Sequence, residues 1–316
     1  MTCCGLRPSL TPQNPNSKTM IFSALRLAGV PIVVLRDDLN HPIVSGNKLH
    51  KLLPNIELAK ANNYDTIASF GGPFSNHLHA LAWACKDAGL NSVGIVRGEL
   101  HANLTPTLRD CQRWGMNLIA CPRKDYRAYQ ELISEQRTPC SASKLLSPLI
   151  SNNLKNTLLI PEGGSNMAAI NSLTHAYGEA LAQPECDGIT HIVCATGTGA
   201  TLAGILNAAS AHISVIGMQS VAEGDATLKR IEEWRGINSS NMSIQVAHLG
   251  GFGKMPHELH TFIAGFEAKY AIPLDPVYNG KAMLKLSQMI EAGFFAATDK
   301  VLFINTGGLQ GKRGSQ

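Results

Sequence analysis

From about residue 30 the chain alternates short runs of β-branched and apolar residues with longer segments in which apolar residues recur every three or four positions. The short runs are typical of buried parallel strands, and the longer segments are typical of helices that cover a sheet. A helix is predicted over 76–88, where Leu78, Leu81, Ala82 and Cys85 share a face, and another over 201–211. The predicted strands lie at 31–35, 66–70, 92–96, 117–120, 157–160, 191–194, 214–217 and 301–304.

The order of these elements predicts an α/β fold with open parallel sheets, divided into two domains. A chain of 316 residues commonly folds as two lobes. The weakest periodicity lies over 126–156, a polar stretch that we interpret as a helix and a loop ending one lobe. We therefore predict a larger domain formed by residues 1–44 and 156–316, with a smaller α/β domain, residues 45–155, inserted into it.

Composition argues against several classes of partner. Only 16% of the residues are charged, and the net charge of +4 is spread along the chain, so neither nucleic acid nor a membrane surface is an expected partner. A run of eighteen apolar residues, which a membrane-spanning helix needs, does not occur in the sequence. Cys85, Cys111, Cys186 and Cys194 lie in apolar segments without a CxxC pair, which predicts buried thiols, no metal site and a cytoplasmic location.

A lysine next to a glycine stands at a predicted loop-to-helix junction, in the sequence SGNK at 45–48, and Lys51 follows. Glycine lets a bound aldehyde approach closely, and a lysine amine can then form a Schiff base with it. The alternative is that Lys48 and Lys51 are solvated charges on the first turn of a helix. The other motifs have to decide between these two interpretations.

A strand, paired glycines and a helix start follow one another in GGPFSNH at 71–77. The backbone N–H groups and the Ser75 hydroxyl of such a turn can hold a substrate carboxylate, whereas the alternative is that Ser75 only caps the helix. His77 and His79 are two positions apart and do not face one metal, so we expect them on the helix surface or behind the site.

A second strand-turn-helix junction, ATGTGAT at 195–201, is rich in glycine and threonine. Its backbone donors, hydroxyls and helix dipole are suited to a phosphate. No Gly-Lys-Ser/Thr sequence follows, and Leu202 stands where a dinucleotide motif needs its third glycine, so a monophosphate is the better match. A tight turn without a ligand is the alternative.

Two C-terminal segments, DPVYNGK at 275–281 and FINTGG at 303–308, each place polar residues beside glycine after an apolar run. Ligands of open α/β folds bind at the carboxyl ends of strands, where we expect both segments to lie. Either segment alone is equally consistent with an ordinary turn.

Taken in this order, the motifs resemble those of the fold-type-II pyridoxal-phosphate enzymes, in particular the branch of 1-aminocyclopropane-1-carboxylate deaminase and D-cysteine desulfhydrase. The resemblance also includes RDD at 36–38 and PEGGSN at 161–166. It implies a tryptophan synthase β-like fold with pyridoxal 5'-phosphate in the cleft between two domains. It also implies a small amino-acid substrate and a homodimer.

The resemblance implies roles for individual residues. The expected catalytic residues are Lys48, which resembles the lysine that carries the cofactor as a Schiff base, Ser75, which resembles a proton-relaying serine, and Tyr278. Lys51 resembles a helper near the cofactor phosphate, and Asn76 resembles the residue at the pyridine hydroxyl. The expected cofactor-binding residues are Lys48, Asn47, Lys51, Asn76, Thr196, Gly197, Thr198, Gly199, Ala200, Thr201, Asn279 and Thr306. The expected substrate-binding residues are Ser75, Asn76, His77, Gly164, Phe252 and Tyr278.

Three departures from the cyclopropane deaminases bear on the reaction. Asn279 stands where those enzymes have a glutamate facing the pyridine nitrogen, Thr306 where they have a leucine, and Phe252 where they have a second tyrosine. A carboxylate keeps the pyridine nitrogen protonated and makes the ring a stronger electron sink, on which ring opening depends more than β-elimination does. We therefore predict a lyase that removes the β-substituent of a small amino acid, with D-cysteine giving pyruvate, sulfide and ammonia.

Other functions stay open at this point. Deamination of 1-aminocyclopropane-1-carboxylate is the nearest alternative, and another lyase or racemase follows because the tail LQGKRG at 309–314 departs from the desulfhydrase pattern. A cofactor-binding protein without catalysis would not need an exchangeable lysine. A nicotinamide-dependent dehydrogenase would use the glycine turn at 197–199 but would leave the motifs of Lys48 and Ser75 unexplained.

Overall fold

The computed structural model describes residues 20–134, 140–141, 156–222, 224–235, 240–251 and 253–314. Its strands are β1 (Phe22–Leu27), β2 (Val30–Leu35), β3 (Thr66–Gly71), β4 (Asn91–Arg97), β5 (Asn117–Cys121), β6 (Cys140–Ser141), β7 (Thr157–Leu159), β8 (His191–Thr196), β9 (Ser214–Gln219), β10 (Met242–Val246) and β11 (Val301–Ile304). Its α-helices are α1 (Asn47–Ala61), α2 (Asn76–Ala88), α3 (Pro106–Arg113), α4 (Arg123–Ser134), α5 (Met167–Leu181), α6 (Ala200–Ala208), α7 (Ala226–Arg235), α8 (His257–Tyr270) and α9 (Asn279–Glu291). Short 3₁₀ turns lie at Asp37–Leu39, Glu162–Gly164, Pro184–Cys186 and Leu309–Gly314.

One sheet has the order β1-β2-β11-β8-β9-β10, in which β1 is antiparallel to β2 and the other pairings are parallel. Successive residues of its central strands point to opposite faces. Val34 and Phe303 belong to the core under α8 and α9, whereas Val33 and Leu302 belong to the core under α5 and α6. Helices therefore cover both faces, which explains why these strands are continuous apolar runs in the sequence.

The second sheet has the order β5-β4-β3-β7-β6, and its pairings are parallel except for that of β6 with β7. The two open, mostly parallel sheets confirm the predicted fold class. Strand β7 pairs with β3 through Thr157, Leu158 and Leu159. The predicted domain boundary at 155/156 puts β7 with the larger unit, although its hydrogen bonds are to the smaller sheet.

All eight predicted strands are present, with ends within two residues of the prediction. The strands that were not predicted, β1, β6 and β10, stand at sheet edges. Strands β1 and β10 are largely half-exposed, so they lack the unbroken apolar run that identifies a central strand. Helix 76–88 is confirmed, helix α6 ends at Ala208 rather than at 211, and α4 is the helix predicted near 126. The loop predicted to follow α4 lies mainly outside the described residues.

The predicted core cysteines are confirmed as buried thiols. Cys85, Cys111, Cys186 and Cys194, together with Cys121, are free and buried. A membrane-crossing helix is not found among the described helices, since none of them is both long and apolar enough.

Each sheet contains a point at which its strand order reverses. From β8 the chain continues to β9 on one side, while β11 lies on the other side; β4 and β7 flank β3 in the same way. Loops that leave the carboxyl ends of such strands diverge and open a crevice. Helix α1 packs against α5, and Asn166 Nδ2 donates to Asn55 Oδ1 across this contact at 2.7 Å, so the two crevices are held close together.

A glycine controls the close contact of α6 with α5. A β-carbon at Gly204 would stand 2.6 Å from Leu173 Cβ, whereas one at Gly178 of α5 would meet no described atom within 4 Å. Gly204→Ala is expected to lower the free energy of unfolding by about 1–3 kcal/mol through overpacking. Gly178→Ala is expected to raise it by about 0.5–1 kcal/mol through helix propensity. Urea denaturation of both variants checks this, and an equal loss of stability in both would contradict it.

Candidate active site

A cavity of about 290 Å³ lies between the two sheets, at the carboxyl ends of β3, β4, β8, β9 and β11. Its size is near the lower end of the range for small-molecule sites, roughly 300–1,000 Å³. The predicted site residues that line it are Asn47, Lys48, Lys51, Ser75, Asn76, His77, Thr196, Gly197, Thr198, Gly199, Thr201, Tyr278 and Thr306.

Lys48 enters the cavity from the first turn of α1. The residue before this helix, Gly46, has φ 68°, and a β-carbon there would stand 1.9 Å from the carbonyl oxygen of Thr306, so only glycine is accommodated. Lys48 Nζ donates to Asn47 Oδ1 at 2.7 Å, and Asn47 Nδ2 donates to Thr201 Oγ1 at 2.8 Å. The amine is therefore fixed relative to the glycine-rich turn that follows β8.

Two lysines at the cavity have lowered pKa values. Burial lowers the pKa of Lys48 to about 8, although the negative charges of Asp275 and Asp37 oppose the shift. Burial, and then the positive charge of Lys48, lower the pKa of Lys51 well below its ordinary value. A neutral amine is the form that attacks an aldehyde, and an anion between the two lysines would relieve their mutual repulsion.

The start of α2 brings Ser75 and Asn76 to the cavity wall. Ser75 caps the helix, because its hydroxyl accepts the N–H of Leu78 at 3.2 Å, and it lines the cavity at the same time. The capping and the ligand-binding interpretations of Ser75 are therefore compatible. Asn76 Oδ1 accepts a hydrogen bond from Gln310 Nε2.

His77 and His79 are not on the helix surface, which corrects one of the two placements expected for them. Only 3% of His77 and 5% of His79 is exposed, because α2 is covered on several sides by the sheet and by α1 and α3. His77 Nε2 lies 2.8 Å from Ser69 Oγ, and Nδ1 has no partner among the described residues. Burial lowers the pKa of His77 well below its ordinary value, with Lys48 and Lys51 adding to the shift, so the ring is neutral.

The turn after β8 directs backbone N–H groups into the cavity. Thr227 Oγ1 donates to the Gly197 carbonyl at 3.2 Å, and Arg230 Nε donates to the Thr198 carbonyl at 3.1 Å, so both carbonyls face α7. A peptide has its C=O and N–H on opposite sides, so the N–H groups of Thr198 and Gly199 point towards the cavity. The N–H groups in the first turn of α6, which have no acceptor within their own helix, add to this donor set.

A buried carboxylate organises the turn that carries Tyr278. Asp275 accepts the N–H groups of Val277 at 3.0 Å, Tyr278 at 2.8 Å and Asn279 at 2.8 Å. Burial raises the pKa of Asp275, although these hydrogen bonds oppose the rise. The Tyr278 ring lies against the glycine-rich turn, because a β-carbon at Gly197 would stand 3.3 Å from Tyr278 Cε1.

Asn279 does not line the cavity, although it was expected to contact a cofactor there. Asn279 is fully buried. Its Nδ2 donates to Asp275 Oδ1 at 2.7 Å and to the Gly307 carbonyl at 2.8 Å. Its Oδ1 accepts the N–H of Thr306 at 3.1 Å and the Thr306 hydroxyl at 3.2 Å. These bonds use its whole hydrogen-bonding capacity, and Thr306 is the residue that faces the cavity.

Ala200 and Gly164 also lie outside the cavity wall, where Gly163 takes the place expected for Gly164. Phe252 is outside the described residues. Sequence reasoning missed Arg97, which lines the cavity at the end of β4 and has its guanidinium carbon 5.8 Å from the centre of the Tyr126 ring. The position of Arg97 at the carboxyl end of a predicted strand was the available signal in the sequence.

Among the described residues, no group of three His, Cys, Asp or Glu side chains is arranged to hold a metal.

Sequence comparison relates the chain to enzymes of known name. A protein of Pyrococcus abyssi, provisionally named a 1-aminocyclopropane-1-carboxylate deaminase, is 29% identical over 304 residues, 90% of this chain and 87% of that protein. The bifunctional D-cysteine desulfhydrase/1-aminocyclopropane-1-carboxylate deaminase of Arabidopsis thaliana mitochondria is 29% identical over 90% of this chain and 73% of its own length. The D-cysteine desulfhydrase of Salmonella newport is 26% identical over 89% of this chain and 87% of its own length.

Structural comparison agrees with the sequence comparison. The crystal structure of a homologue of 1-aminocyclopropane-1-carboxylate deaminase superposes with a TM-score of 0.74 and 26% identity, covering 93% of this chain and 90% of that one. The family profile described as pyridoxal-phosphate dependent enzyme matches residues 13–307. The chain therefore belongs to the pyridoxal-phosphate-dependent enzymes, as the motifs of its sequence predicted.

Proposed function

We propose that this enzyme is a lyase that eliminates the β-substituent of a small amino acid, converting D-cysteine to pyruvate, sulfide and ammonia. The observation that carries the proposal is the position of Lys48. Its amine, with a pKa lowered to about 8, lies in the cavity beside a turn of inward-pointing N–H groups. An aldehyde and a phosphate on one compact cofactor match this pair of features.

The cavity residues fit pyridoxal 5'-phosphate. In this proposal the turn from Thr196 to Thr201 would hold the phosphate, with the amine of Lys51 nearby. Asn76 would donate to the oxygen on the pyridine ring, and Thr306 would be the uncharged residue beside the ring nitrogen. The bound cofactor supplies an electron sink that stabilises negative charge at the substrate Cα.

The chain's own residues supply binding and proton transfer. Lys48 would hold the cofactor through its aldehyde, and the free amine of Lys48 would take the Cα proton as a general base. The Ser75 hydroxyl and the N–H groups at the start of α2 hold the substrate carboxylate, close to the Tyr278 ring. His77, which lines the same cavity, stays neutral, since burial lowers its pKa well below its ordinary value.

The choice of reaction rests on Thr306. A hydroxyl at the ring nitrogen does not hold a proton there as a carboxylate does, so the electron sink is weaker. β-Elimination depends less on the sink, because the electrons released at Cα leave with the departing group. The second candidate, deamination of 1-aminocyclopropane-1-carboxylate, is favoured by the names of the relatives in Pyrococcus and Arabidopsis.

The surroundings of the enzyme are part of the same proposal. The buried thiols, from Cys85 to Cys194, are free, which suits a reducing compartment such as the cytoplasm. A homodimer is proposed on the resemblance alone.

The first prediction of the proposed function concerns Lys48. Purified protein is expected to be yellow, and Lys48→Ala is expected to lose the visible absorbance while keeping its far-ultraviolet circular dichroism. Because only the neutral amine reacts, colour formation by the apoprotein should accelerate with pH and level off above the Lys48 pKa of about 8. Lys60→Ala, at the other end of α1, is the matched control and should behave like the unmodified protein. An unchanged spectrum in Lys48→Ala would assign the aldehyde to another residue.

The second prediction concerns the glycine-rich turn. Gly197→Val would push against the Tyr278 ring, and Gly199→Val would impose a side chain at φ 96° and 3.0 Å from Ile231. Both variants are expected to bind pyridoxal 5'-phosphate about tenfold or more weakly, measured by absorbance titration of the apoprotein. Gly188→Ala, at a turn with φ 73° outside the cavity wall, is the control for backbone strain. Normal affinity for pyridoxal 5'-phosphate in both turn variants would show that this turn does not bind the phosphate.

The third prediction concerns the reaction. D-cysteine or β-chloro-D-alanine is expected to turn over about tenfold or more faster than 1-aminocyclopropane-1-carboxylate. The reason is that the electrons released at Cα leave with the β-substituent, so the reaction depends less on the pyridine ring as an electron sink. Pyruvate, 2-oxobutanoate and sulfide are measured, with L-cysteine and D-serine as comparison substrates and Lys48→Ala as background. Efficient ring opening without keto acid from any β-substituted amino acid would refute the elimination and favour the second candidate.

A further inference from the structure

The tail that departs from the desulfhydrase pattern forms a clasp, residues 309–314, between the two sheets. Lys312 Nζ pairs with Glu267 Oε1 on α8, which covers the six-stranded sheet. Arg313 Nη2 lies 2.7 Å from Asp110 Oδ2 on α3 and 3.3 Å from His79 Nε2 on α2, and both of these helices cover the five-stranded sheet. The clasp is therefore anchored by charged side chains to both halves of the molecule.

Between these anchors, Gln310 reaches a residue of the cavity wall. Its Oε1 accepts the hydroxyl of Thr107 at 3.0 Å, and its Nε2 donates to Asn76 Oδ1. Thr107 is 2% exposed, so the far end of this chain of hydrogen bonds is shielded from water. The near end of this chain of hydrogen bonds is in the cavity, because Asn76 lines the cavity wall, as does Gly311 of the clasp.

The direction of these bonds decides what Asn76 offers to a ligand. The Asn76 carbonyl oxygen is engaged by Gln310, so the amide nitrogen is the group that remains. A β-carbon at Gly308 would stand 2.7 Å from Asn76 Nδ2, which places this nitrogen against a second cavity-lining residue. Asn76 consequently meets a ligand as a hydrogen-bond donor, and the matching ligand atom is an acceptor.

We propose that Gln310, oriented by Thr107, is a positioning residue that fixes Asn76 as a donor to the anionic ring oxygen of the cofactor. The inference rests on the proposed function for the identity of that oxygen. Gln310 acts through Asn76 and touches no reacting atom. Successive donation from Thr107 to Gln310 to Asn76 polarises each bond in turn and strengthens the last one.

A near-isosteric substitution can reverse this direction. A carboxylate only accepts hydrogen bonds at neutral pH, so Gln310→Glu still accepts from Thr107 but can no longer donate to Asn76. The Asn76 amide then has to turn its nitrogen towards the clasp and its oxygen towards the cavity. In the cavity, Asn76 Oδ1 would then face the anionic ring oxygen, and the ring oxygen would lose its hydrogen-bond donor.

The experiment measures the visible spectrum of the lysine-bound cofactor as a function of pH, and cofactor affinity. A donor stabilises the anionic oxygen, so its loss makes that oxygen hold its proton to higher pH. Gln310→Glu is expected to raise the pH midpoint of the absorbance change by about one unit and to weaken cofactor binding about tenfold. Thr107→Val is expected to move the midpoint in the same direction by less, and it keeps the test valid if Gln310→Glu does not fold.

The matched control is Lys312→Gln, which removes an ion pair of the same clasp without touching the hydrogen bonds to Asn76. Its midpoint and cofactor affinity are expected to equal those of the unmodified protein. Unmodified midpoints in both Gln310→Glu and Thr107→Val would overturn the role of Gln310, as would an equal shift in Lys312→Gln. If the unmodified protein binds no pyridoxal 5'-phosphate through a lysine, the proposed function fails instead, so the two failures are distinguishable.

Discussion

The arrangement depends on the crossing of two backbones at Gly46 and Thr306. The chain that enters α1 and the chain that leaves β11 touch here so closely that no β-carbon fits at Gly46, and the N–H of Asn47 donates to the Thr306 carbonyl at 3.3 Å. Helix α1 contributes Leu52 and Ile56 to the core of the five-stranded sheet, whereas β11 is central in the six-stranded sheet. One contact between main chains thus sets the separation of the two halves, and with it the position of Lys48.

Desolvation then gives the site its reactivity. Removing Lys48 from water disfavours its charged form more than the buried carboxylates of Asp275 and Asp37 can compensate. Burial, and then the positive charge of Lys48, lower the pKa of Lys51 in the same direction. The same carboxylate of Asp275 ties down the turn that carries Tyr278. A single buried charge therefore acts twice, holding a side chain at the cavity wall and moderating the pKa of the lysine opposite.

The sequence predicted the central strands, the junctions that carry Lys48 and Ser75, and the glycine-rich turn, because each depends on local chemistry. Apolar runs mark buried strands, and a glycine such as Gly199 marks backbone that other residues do not adopt. What it could not predict depends on packing between distant segments. The burial of His77 follows from helices covering α2, and the bonds of Gln310 join residues more than two hundred positions apart.

Asn279 shows why aligning one position with a family does not by itself transfer a role. Its amide gives two hydrogen bonds and receives two, and it connects Asp275, Thr306 and Gly307 in one network. A glutamate at this position would bring a second carboxylate against Asp275 and an acceptor against the Gly307 carbonyl, and neither contact could be satisfied without protonation. The uncharged amide of Asn279 is therefore held in place by the whole network. Replacing Asn279 alone would disturb the hydrogen bonds of Asp275, Thr306 and Gly307 at the same time, since these residues share them.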